Sequence, residues 1–471
     1  MVTFKQYVRI IEEGGAYGHM ANMYENTDLT FGELKELVQR LFKQGISTVK
    51  EKTDGQALAV TVKPDSSGEL KTFFARNAGH VKNGSATALD LGGIEDKFAG
   101  REGGLAEAFI YAARDIANAL ESLDKGILET LFLSTSPNNK GEWGYRWLHI
   151  EIIWPQTANV IRYGDELKKL IIHNYTEHDD NGVAIGSDFN QTAESLVSHL
   201  VANGNQKQEF FEIDFMPLLN LPEIESADDK INEYIQYFSD LQSKHGLDDG
   251  DTVGDLYKAI YSEFITTSAS AVGYDISSNP DLLNSLINRW VYKIKKPAIT
   301  VLKNSIDNDN FKEWVANHEK ESGIWSELNA RNKIKIPFIK IAIDILGGMV
   351  PLFIAADKEH ARTDIINRLE KTKQHFEELS KTTSDTKELA IIDKINKEMR
   401  YLEDTGGLKN ALPTEGLTFI YNDTVYKLTG TFAPINQILG QEPGRFAEQV
   451  ASVTPWKGNL GHDWSGITGP L

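Results

Sequence analysis

The chain has 471 residues, of which 41% are hydrophobic and 25% charged. This composition is typical of a globular protein with room for about two or three domains. The absence of cysteine excludes disulfides, zinc sites with thiolate ligands and a cysteine nucleophile. The formal net charge of −19 argues against a protein that coats nucleic acid through bulk electrostatics, although it is compatible with a local basic groove.

No apolar run approaches the ~20 residues of a membrane span, and the first residues lack the apolar region of a signal peptide. We therefore expect a cytoplasmic protein that does not enter a membrane. Residues 1–45 are expected to form two short helices around a glycine-rich turn. The second helix has Thr30 as its N-cap and Glu33 at the capping-box position.

From residue 46 the hydrophobic pattern alternates between strand and helix. Residues 46–76 have strand character, with a loop at 64–68 between two strands, and strand character also marks 145–154 and 167–175. Residues 104–133 instead repeat their apolar side chains at helical spacing. The segment 182–410 is predominantly helical, with a break at 382–385. Strand character returns at 417–428, where Asn422-Asp423 predicts the turn of a hairpin.

This pattern predicts an α+β fold. Its β-rich parts lie at both ends of a long helical block, so they form either two β domains or one interrupted domain. We favour one domain interrupted by a helical insertion. The predicted divisions are an N-terminal helical segment (1–45), the first part of the core (46–181) and the helical insertion (182–410). The second part of the core (411–430) and a C-terminal tail (431–471) follow.

The motif Glu51-Lys52-Thr53-Asp54-Gly55 places a lysine between two strand-like runs. A turn of this kind holds the amine at the mouth of a β-structured pocket, where it could attack phosphorus. A lysine nucleophile must lose its proton, and we expect burial or a neighbouring cation to lower the pKa of Lys52. Taken alone, the motif is equally compatible with an exposed lysine beside a β-turn.

Four further polar residues fall on predicted strands or at their ends: Arg76, Glu151, Glu415 and Lys427. Each residue type suits one part of a nucleotide. Ribose hydroxyls need an acceptor, phosphates need fixed cations, and a divalent metal needs a hard carboxylate ligand.

In this order, the motifs resemble those of the covalent nucleotidyltransferase superfamily, which contains ATP-dependent DNA and RNA ligases and mRNA-capping enzymes. The RNA-ligase-like branch is the more similar one. The chain also resembles ligase-like proteins of large tailed phages, in which segments like 13–20 and 29–35 precede the lysine motif. The resemblance covers roughly 1–180 and 410–430. It implies an antiparallel nucleotidyltransferase core that the helical insertion interrupts.

The resemblance implies that Lys52 attacks the α-phosphate of ATP and holds AMP as a phosphoramidate. Asp54 would position the nucleotide, and Lys427 would neutralise the α-phosphate. Glu415 would help to coordinate Mg²⁺, either directly or through water.

The remaining implied residues bind the nucleotide. Glu51, beside the lysine, belongs to this group. Arg76 would contact the ribose or the incoming phosphate, and Glu151 would bind the ribose. His173 is the first choice for the ring that stacks on the base, with Tyr175 second.

These roles predict an ATP-dependent polynucleotide ligase that joins 5′-phosphate and 3′-hydroxyl ends, on RNA in preference to DNA. The helical insertion is a candidate surface for a protein partner. Ala57 and Ile150 stand where the family usually has arginine and glycine, which favours an alternative: a catalytically degenerate structural or interaction protein. A third alternative is transfer of AMP to a protein or a small molecule.

Overall fold

The computed structural model describes residues 22–443 apart from short gaps. The gaps are 66, 77–87, 101–103, 134–144, 158, 179–183, 189–190, 203–208, 293, 295, 321–329, 356 and 423. The architecture is α+β, as predicted, with two β-sheets and three main hydrophobic cores. No helix in the described part of the chain is both long and apolar enough to cross a membrane.

The larger sheet has six strands. They are β2 (Gln56–Pro64), β3 (Leu70–Ala75), β4 (Tyr145–Ile153), β5 (Lys169–His178), β6 (Ala184–Asp188) and β7 (Glu212–Phe215). The order is β3-β2-β4-β5-β6, with β7 added to β5, and every pairing except β5–β7 is antiparallel. The smaller sheet has the order β1-β8-β9. Its strands are β1 (Lys50–Lys52), β8 (Gly416–Tyr421) and β9 (Thr424–Leu428).

Four helices cover one face of the larger sheet: α2 (Leu91–Phe98), α3 (Gly104–Glu121), α4 (Lys125–Phe132) and α5 (Gln191–Ala202). Strand alternation selects which side chains face them. Leu58 and Val60 of β2, and Ile150 and Ile152 of β4, enter the core beneath these helices. The intervening residue, Glu151, therefore faces the opposite side of the sheet.

The smaller sheet packs on α1 (Phe31–Phe42) and on most of the helical region. That part consists of α6 (Ala227–His245), α7 (Val253–Ala271), α8 (Pro280–Val291), α9 (Ile299–Asn304), α10 (Asp309–Lys320) and α11 (Asn332–Met349). Leu417, Phe419 and Tyr426 enter this shared core. The predicted capping box of α1 is confirmed, with Thr30 Oγ1 accepting from the Glu33 backbone N–H.

The rest of the helical region belongs to a third core. It comprises α12 (Lys358–Leu379), α13 (Thr386–Asp404) and the helix α14 (Phe432–Leu439) near the end of the described chain. These helices pack on Ile153 and Ile171, which lie on the face of the larger sheet opposite α2–α5. The helical region is therefore divided between two cores and does not form a single separate layer.

Several predicted elements are confirmed, including the β8–β9 hairpin and the break between α12 and α13. Three differ. The strand expected from 46 begins only at Lys50, the larger sheet continues past 181 into β6 and β7, and α14 lies in the supposed tail. The predicted first helix of 1–45 falls outside the described residues.

The two sheets are joined directly. Lys52 ends β1 and Gln56 begins β2, so the turn Thr53–Gly55 carries the chain from one sheet to the other. The predicted lysine motif therefore lies between the two sheets.

Candidate active site

Lys52 and Glu415, which are widely separated in the sequence, form an ion pair. Lys52 Nζ lies 2.5 Å from Glu415 Oε1, and the side chains are 19% and 18% exposed. In the sheet, Lys52 of β1 lies opposite Gly416 of β8, so the preceding residue Glu415 is brought beside it. Gly416 has φ 138, and a Cβ there would lie 2.2 Å from the Leu428 carbonyl oxygen. Only glycine therefore fits after the glutamate.

Glu151 and the turn before β2 are held together. Glu151 lies opposite Ala57 on β2, and its Oε1 accepts a hydrogen bond of 2.8 Å from the Gly55 backbone N–H. A Cβ on Gly55 would lie 2.7 Å from Glu151 Cγ. Burial raises the pKa of Glu151 to about 7, with Lys52 opposing the shift and Glu415 adding to it. Glu151 is thus a carboxyl group that can exchange a proton near neutral pH.

His173 approaches Glu151 because β5 has an irregular register. His149 pairs with Asn174 and Ile150 with Ile172, which leaves His173 as the extra residue; such bulges redirect a side chain. His173 Nε2 lies 3.9 Å from Glu151 Oε2. Burial, helped by the cations Lys50 and Lys52, lowers the pKa of His173 to about 3, so the ring is neutral at pH 7.

Asp54 is fixed by a segment that follows β4. Its backbone N–H donates to the Tyr163 hydroxyl at 2.6 Å, and its Oδ2 accepts from the Ile161 backbone N–H at 3.0 Å. Tyr163 is buried. These contacts fix the conformation of the residue that lies two positions from Lys52.

Lys427 lies on the same face of the smaller sheet as Lys52. It is opposite Thr418, which in turn is opposite Lys50. Burial is the main cause of its lowered pKa, and the charge of Lys52 lowers it further. The charges of Lys50 and Lys52 act on His173 of the other sheet, and the charge of Lys52 also acts on Glu151. Lys50 Nζ donates to the His173 carbonyl oxygen at 2.8 Å and links the two sheets.

The protonation of Lys52 differs from the expectation. Burial acts to lower the pKa of Lys52, but Glu415, Glu151 and Asp54 outweigh it, so the pKa is raised. The expected lowering is therefore wrong for the ion-paired arrangement, in which Lys52 is held as an ammonium group. Nucleophilic attack would require separation from Glu415.

Glu51 does not line this site. Successive residues of a strand face opposite sides, so Glu51 points away from the face that carries Lys50 and Lys52. It is 2% exposed, and its Oε2 accepts from the Ile354 backbone N–H at 2.7 Å. Burial raises the pKa of Glu51 to about 8. Its position supports the fold, and the expected contact with a nucleotide has no geometric basis here.

Two further predicted residues, Arg76 and Tyr175, do not line the site either. They lie on the face of the larger sheet that α2–α5 cover, whereas Glu151 lies on the opposite face. The Arg76 guanidinium carbon is 3.9 Å from the ring centroid of Phe109 on α3. Tyr175 packs against the core beneath α2–α5. Side chains two residues apart on a strand face the same side. Because Phe74 is buried in the core beneath α2–α5, the sequence already indicates that Arg76 lies on that side.

Two residues beside the site were not predicted from the sequence. Lys50 could have been found, since it alternates with Lys52 along one strand. Tyr163 carries no local signal, because its contact with Asp54 depends on the path of the chain after β4.

In the part of the chain that the structure describes, no group of three or more His, Asp or Glu side chains is placed to hold a metal ion. Glu415, Glu151 and Asp54 instead surround Lys52. No protein-family model matches the chain, and neither a curated protein nor a solved structure gives a significant match. We therefore infer function from the residues around Lys52.

Proposed function

We propose that this protein is an ATP-dependent, lysine-adenylating nucleotidyltransferase that acts as a ligase on polynucleotide ends, with RNA preferred. The observation that carries the proposal is the meeting of Lys52, Glu151 and Glu415 between two sheets. The motifs around these residues are widely separated in sequence, and they follow the order found in the covalent nucleotidyltransferase superfamily, which the chain resembles. Chance placement of a surface lysine does not explain their convergence.

In the first step, Lys52 Nζ would bond to the α-phosphorus of ATP while the bond from that phosphorus to the bridging oxygen breaks. Pyrophosphate leaves with the electron pair. The ammonium group, paired with Glu415 at 2.5 Å, must first separate from that carboxylate and give up a proton to solvent. Lys427 on the same sheet face would stabilise the charge that develops on the α-phosphate.

In the second step, an oxygen of a 5′-phosphate would attack the same phosphorus, and the bond to Lys52 would break. The amine regains a proton as it leaves. A 3′-hydroxyl would then attack the activated 5′-phosphate and release AMP. Asp54, fixed by Tyr163 and Ile161, would keep the lysine turn in place during these steps.

Glu415 is the carboxylate that would hold Mg²⁺, since this ion usually combines one or two carboxylates with phosphate oxygens. When bound, Mg²⁺ neutralises phosphate charge. A Glu415 carboxylate that is engaged away from Lys52 no longer raises the pKa of the amine. His173, neutral at pH 7, would stack on the base, and Glu151 would accept from the ribose.

The proposal is tested with ATP labelled at the α-phosphorus, in the presence of Mg²⁺. We expect the wild-type protein to retain covalent label and Lys52→Ala to lose it by at least about a hundredfold, because the proposed nucleophile is removed. Lys71→Ala, which changes a surface lysine of the larger sheet, should label normally. Undiminished label in Lys52→Ala would refute the assignment. Joining of nicked RNA separates ligation from transfer of AMP to other acceptors.

A second candidate function is an interaction protein with an inert site. The ion pair favours it, because Lys52 paired with Glu415 is protonated and not nucleophilic. In that case ATP would neither label the protein nor raise its melting temperature.

A further inference from the structure

Arg368, in the middle of α12, is a buried cation of the helical region. Its Nε and Nη2 donate to the Glu442 carboxylate at 3.0 and 2.8 Å, and its Nη1 donates to Asp364 Oδ2 at 3.1 Å. Nη1 also donates to the Val160 carbonyl oxygen at 2.9 Å. The two carboxylates balance the charge of the guanidinium. The third contact reaches the segment after β4 that holds Asp54.

The carbonyl of Val160 and the N–H of Ile161 belong to one peptide group. This peptide is trans, so it is planar and its C=O and N–H point in opposite directions. The C=O accepts from Arg368, and the N–H donates to Asp54 Oδ2 at 3.0 Å. A single rigid unit therefore connects the Arg368 guanidinium with the carboxylate of the lysine turn.

The direction of this peptide group depends on Arg368. No other described residue donates a hydrogen bond to the Val160 carbonyl, and Val160 is buried. A buried carbonyl that loses its donor is costly, so without Arg368 the peptide group would be expected to rotate towards another donor or towards water. Rotation of the C=O also turns the Ile161 N–H away from Asp54, because the peptide moves as one plane.

The ion pair of Arg368 is better explained by geometry than by stability. Buried ion pairs add little net stability, because desolvation offsets the attraction between the charges. A charged donor does, however, polarise the amide that it contacts, which strengthens the N–H of the same peptide group as a donor. Burial acts to lower the pKa of Arg368, but Glu442 and Asp364 outweigh this effect and the pKa is raised, so the donor stays charged.

We propose that Arg368 is a positioning residue for adenylation: through the Val160–Ile161 peptide group it sets the orientation of the Asp54 carboxylate and so of the turn that carries Lys52. Because this role rests on the proposed function, it also gives the helical region a part in that function. The hydrogen bonds of Arg368 end on Val160, Asp364 and Glu442, so it acts on Lys52 only through Asp54.

Amide hydrogen exchange, followed by mass spectrometry, tests the geometry without ATP. Arg368→Met keeps an apolar stem and removes the donor. We expect the peptide that contains Ile161 to exchange at least about tenfold faster than in the wild type, because its N–H loses a fixed acceptor. Arg162→Met is the matched control: Arg162 lies in the same segment and pairs with Asp364, but its side chain is 64% exposed. This control should leave the exchange of the Ile161 N–H unchanged.

The rate of labelling by ATP tests the effect on the reaction. Arg368→Met should lower the maximal rate at least about tenfold but change the half-saturating ATP concentration less than about threefold, because Arg368 does not contact Lys52. Glu442→Gln weakens the ion pair but leaves the donor to Val160, so it should lower the melting temperature and still label within about threefold of the wild type. An arginine with a merely structural role would give parallel losses in these two variants. Arg162→Met should label normally.

Unchanged exchange at Ile161, or an unchanged maximal rate, in a folded Arg368→Met variant would overturn the inference. Melting temperatures without ligand establish folding. If Arg368→Met does not fold, Arg368→Lys replaces it, because a lysine keeps the charge but lacks the fork that spans Glu442 and Val160. The proposed function fails separately. A wild type that ATP does not label would refute adenylation, whereas faster exchange in Arg368→Met would still show that Arg368 holds Asp54.

Discussion

The ion pair between Lys52 and Glu415 has two opposite effects on the proposed chemistry. It holds the amine beside the position of a nucleotide, and it also keeps that amine protonated. Lys427 on the same sheet face shows the contrasting case, because burial lowers its pKa. A carboxylate partner therefore decides whether the pKa of a buried lysine on this face is raised or lowered.

Replacement of Glu415 should make Lys52 more reactive as an amine. Glu415→Gln removes the adjacent carboxylate, so the pKa of Lys52 should fall and acylation of its amine should begin at lower pH. Mass spectrometry after treatment with an amine-acylating reagent over a pH series measures this midpoint. Asp65→Asn, which breaks the surface pair with Lys71, should leave the Lys52 midpoint unchanged. An unaltered midpoint in Glu415→Gln would contradict the assigned cause.

Glu51 predicts a pH dependence of stability. Its pKa is about 8 in the folded protein and near 4.5 when unfolded, so between these values the folded state binds a proton that the unfolded state lacks. The free energy of unfolding should therefore rise as pH falls from 8 towards 5. Glu51→Gln keeps an acceptor for Ile354 and should remove this contribution. Urea unfolding at pH 8 and 5.5 compares the two proteins; equal pH dependence would contradict the burial argument.

At the scale of elements, α11 contains a proline whose missing N–H is compensated from another helix. Pro337 cannot donate to the Lys333 carbonyl one turn earlier. The Tyr237 hydroxyl of α6 instead donates to that carbonyl oxygen at 2.9 Å. The contact therefore ties α11 to α6 at the turn that contains the proline.

Tyr237→Phe should lower the free energy of unfolding by about 1 kcal/mol, because the Lys333 carbonyl loses its donor. In a Pro337→Ala background the helix N–H is restored, so the same tyrosine change should cost less. Urea unfolding of the two single variants and the double variant gives the coupling between them. Additive effects would show that the hydroxyl does not compensate for the proline.

At the scale of the whole molecule, the candidate site exists because two sheets meet at one turn. Gly55 is the contact point, where its backbone N–H reaches Glu151 and no side chain fits. Each sheet has its own core, one beneath α2–α5 and the other shared with α1 and α6–α11. The distance from Lys52 to Glu151 therefore depends on how the two units are joined.

Gly55→Ala should disturb this junction. An added methyl group would be forced within 2.7 Å of both Glu151 Cγ and the Ile152 carbonyl oxygen, which should cost about 1–3 kcal/mol of stability. Under conditions in which the Gly55→Ala variant is still folded, the amount of label that it takes up from ATP should already be reduced, since Lys52 and Glu151 are moved apart. Gly92→Ala is the control, because the nearest atom to its added carbon is Asp90 Oδ1 at 3.8 Å. Retained labelling in Gly55→Ala would show that the junction tolerates displacement.

Local patterns in the sequence predicted much of the fold. The capping box at Thr30, the hairpin after Glu415 and the strand that contains Glu151 each follow from short-range spacing. The lysine turn, too, has the form that its residues predict. These features are predictable because the interactions that form them lie within a few residues.

The remaining features depend on long-range packing. The pairing of β1 with β8 joins distant segments, and the bulge that turns His173 towards Glu151 has no sequence marker. Motif order alone predicts a nucleotide-binding role for Arg76, whereas alternation along β3 places its side chain on the face that α3 covers.

The pairing of β1 with β8 also has a consequence during protein synthesis. In the described chain β1 is hydrogen-bonded in a sheet to β8 alone. At about 5–20 residues per second, β8 leaves the ribosome roughly 20–70 s after Lys52. Until then the nascent chain carries Lys52 without Glu415 or Lys427. Any adenylating activity must therefore appear late, and a chain that terminates before β8 would accumulate without it.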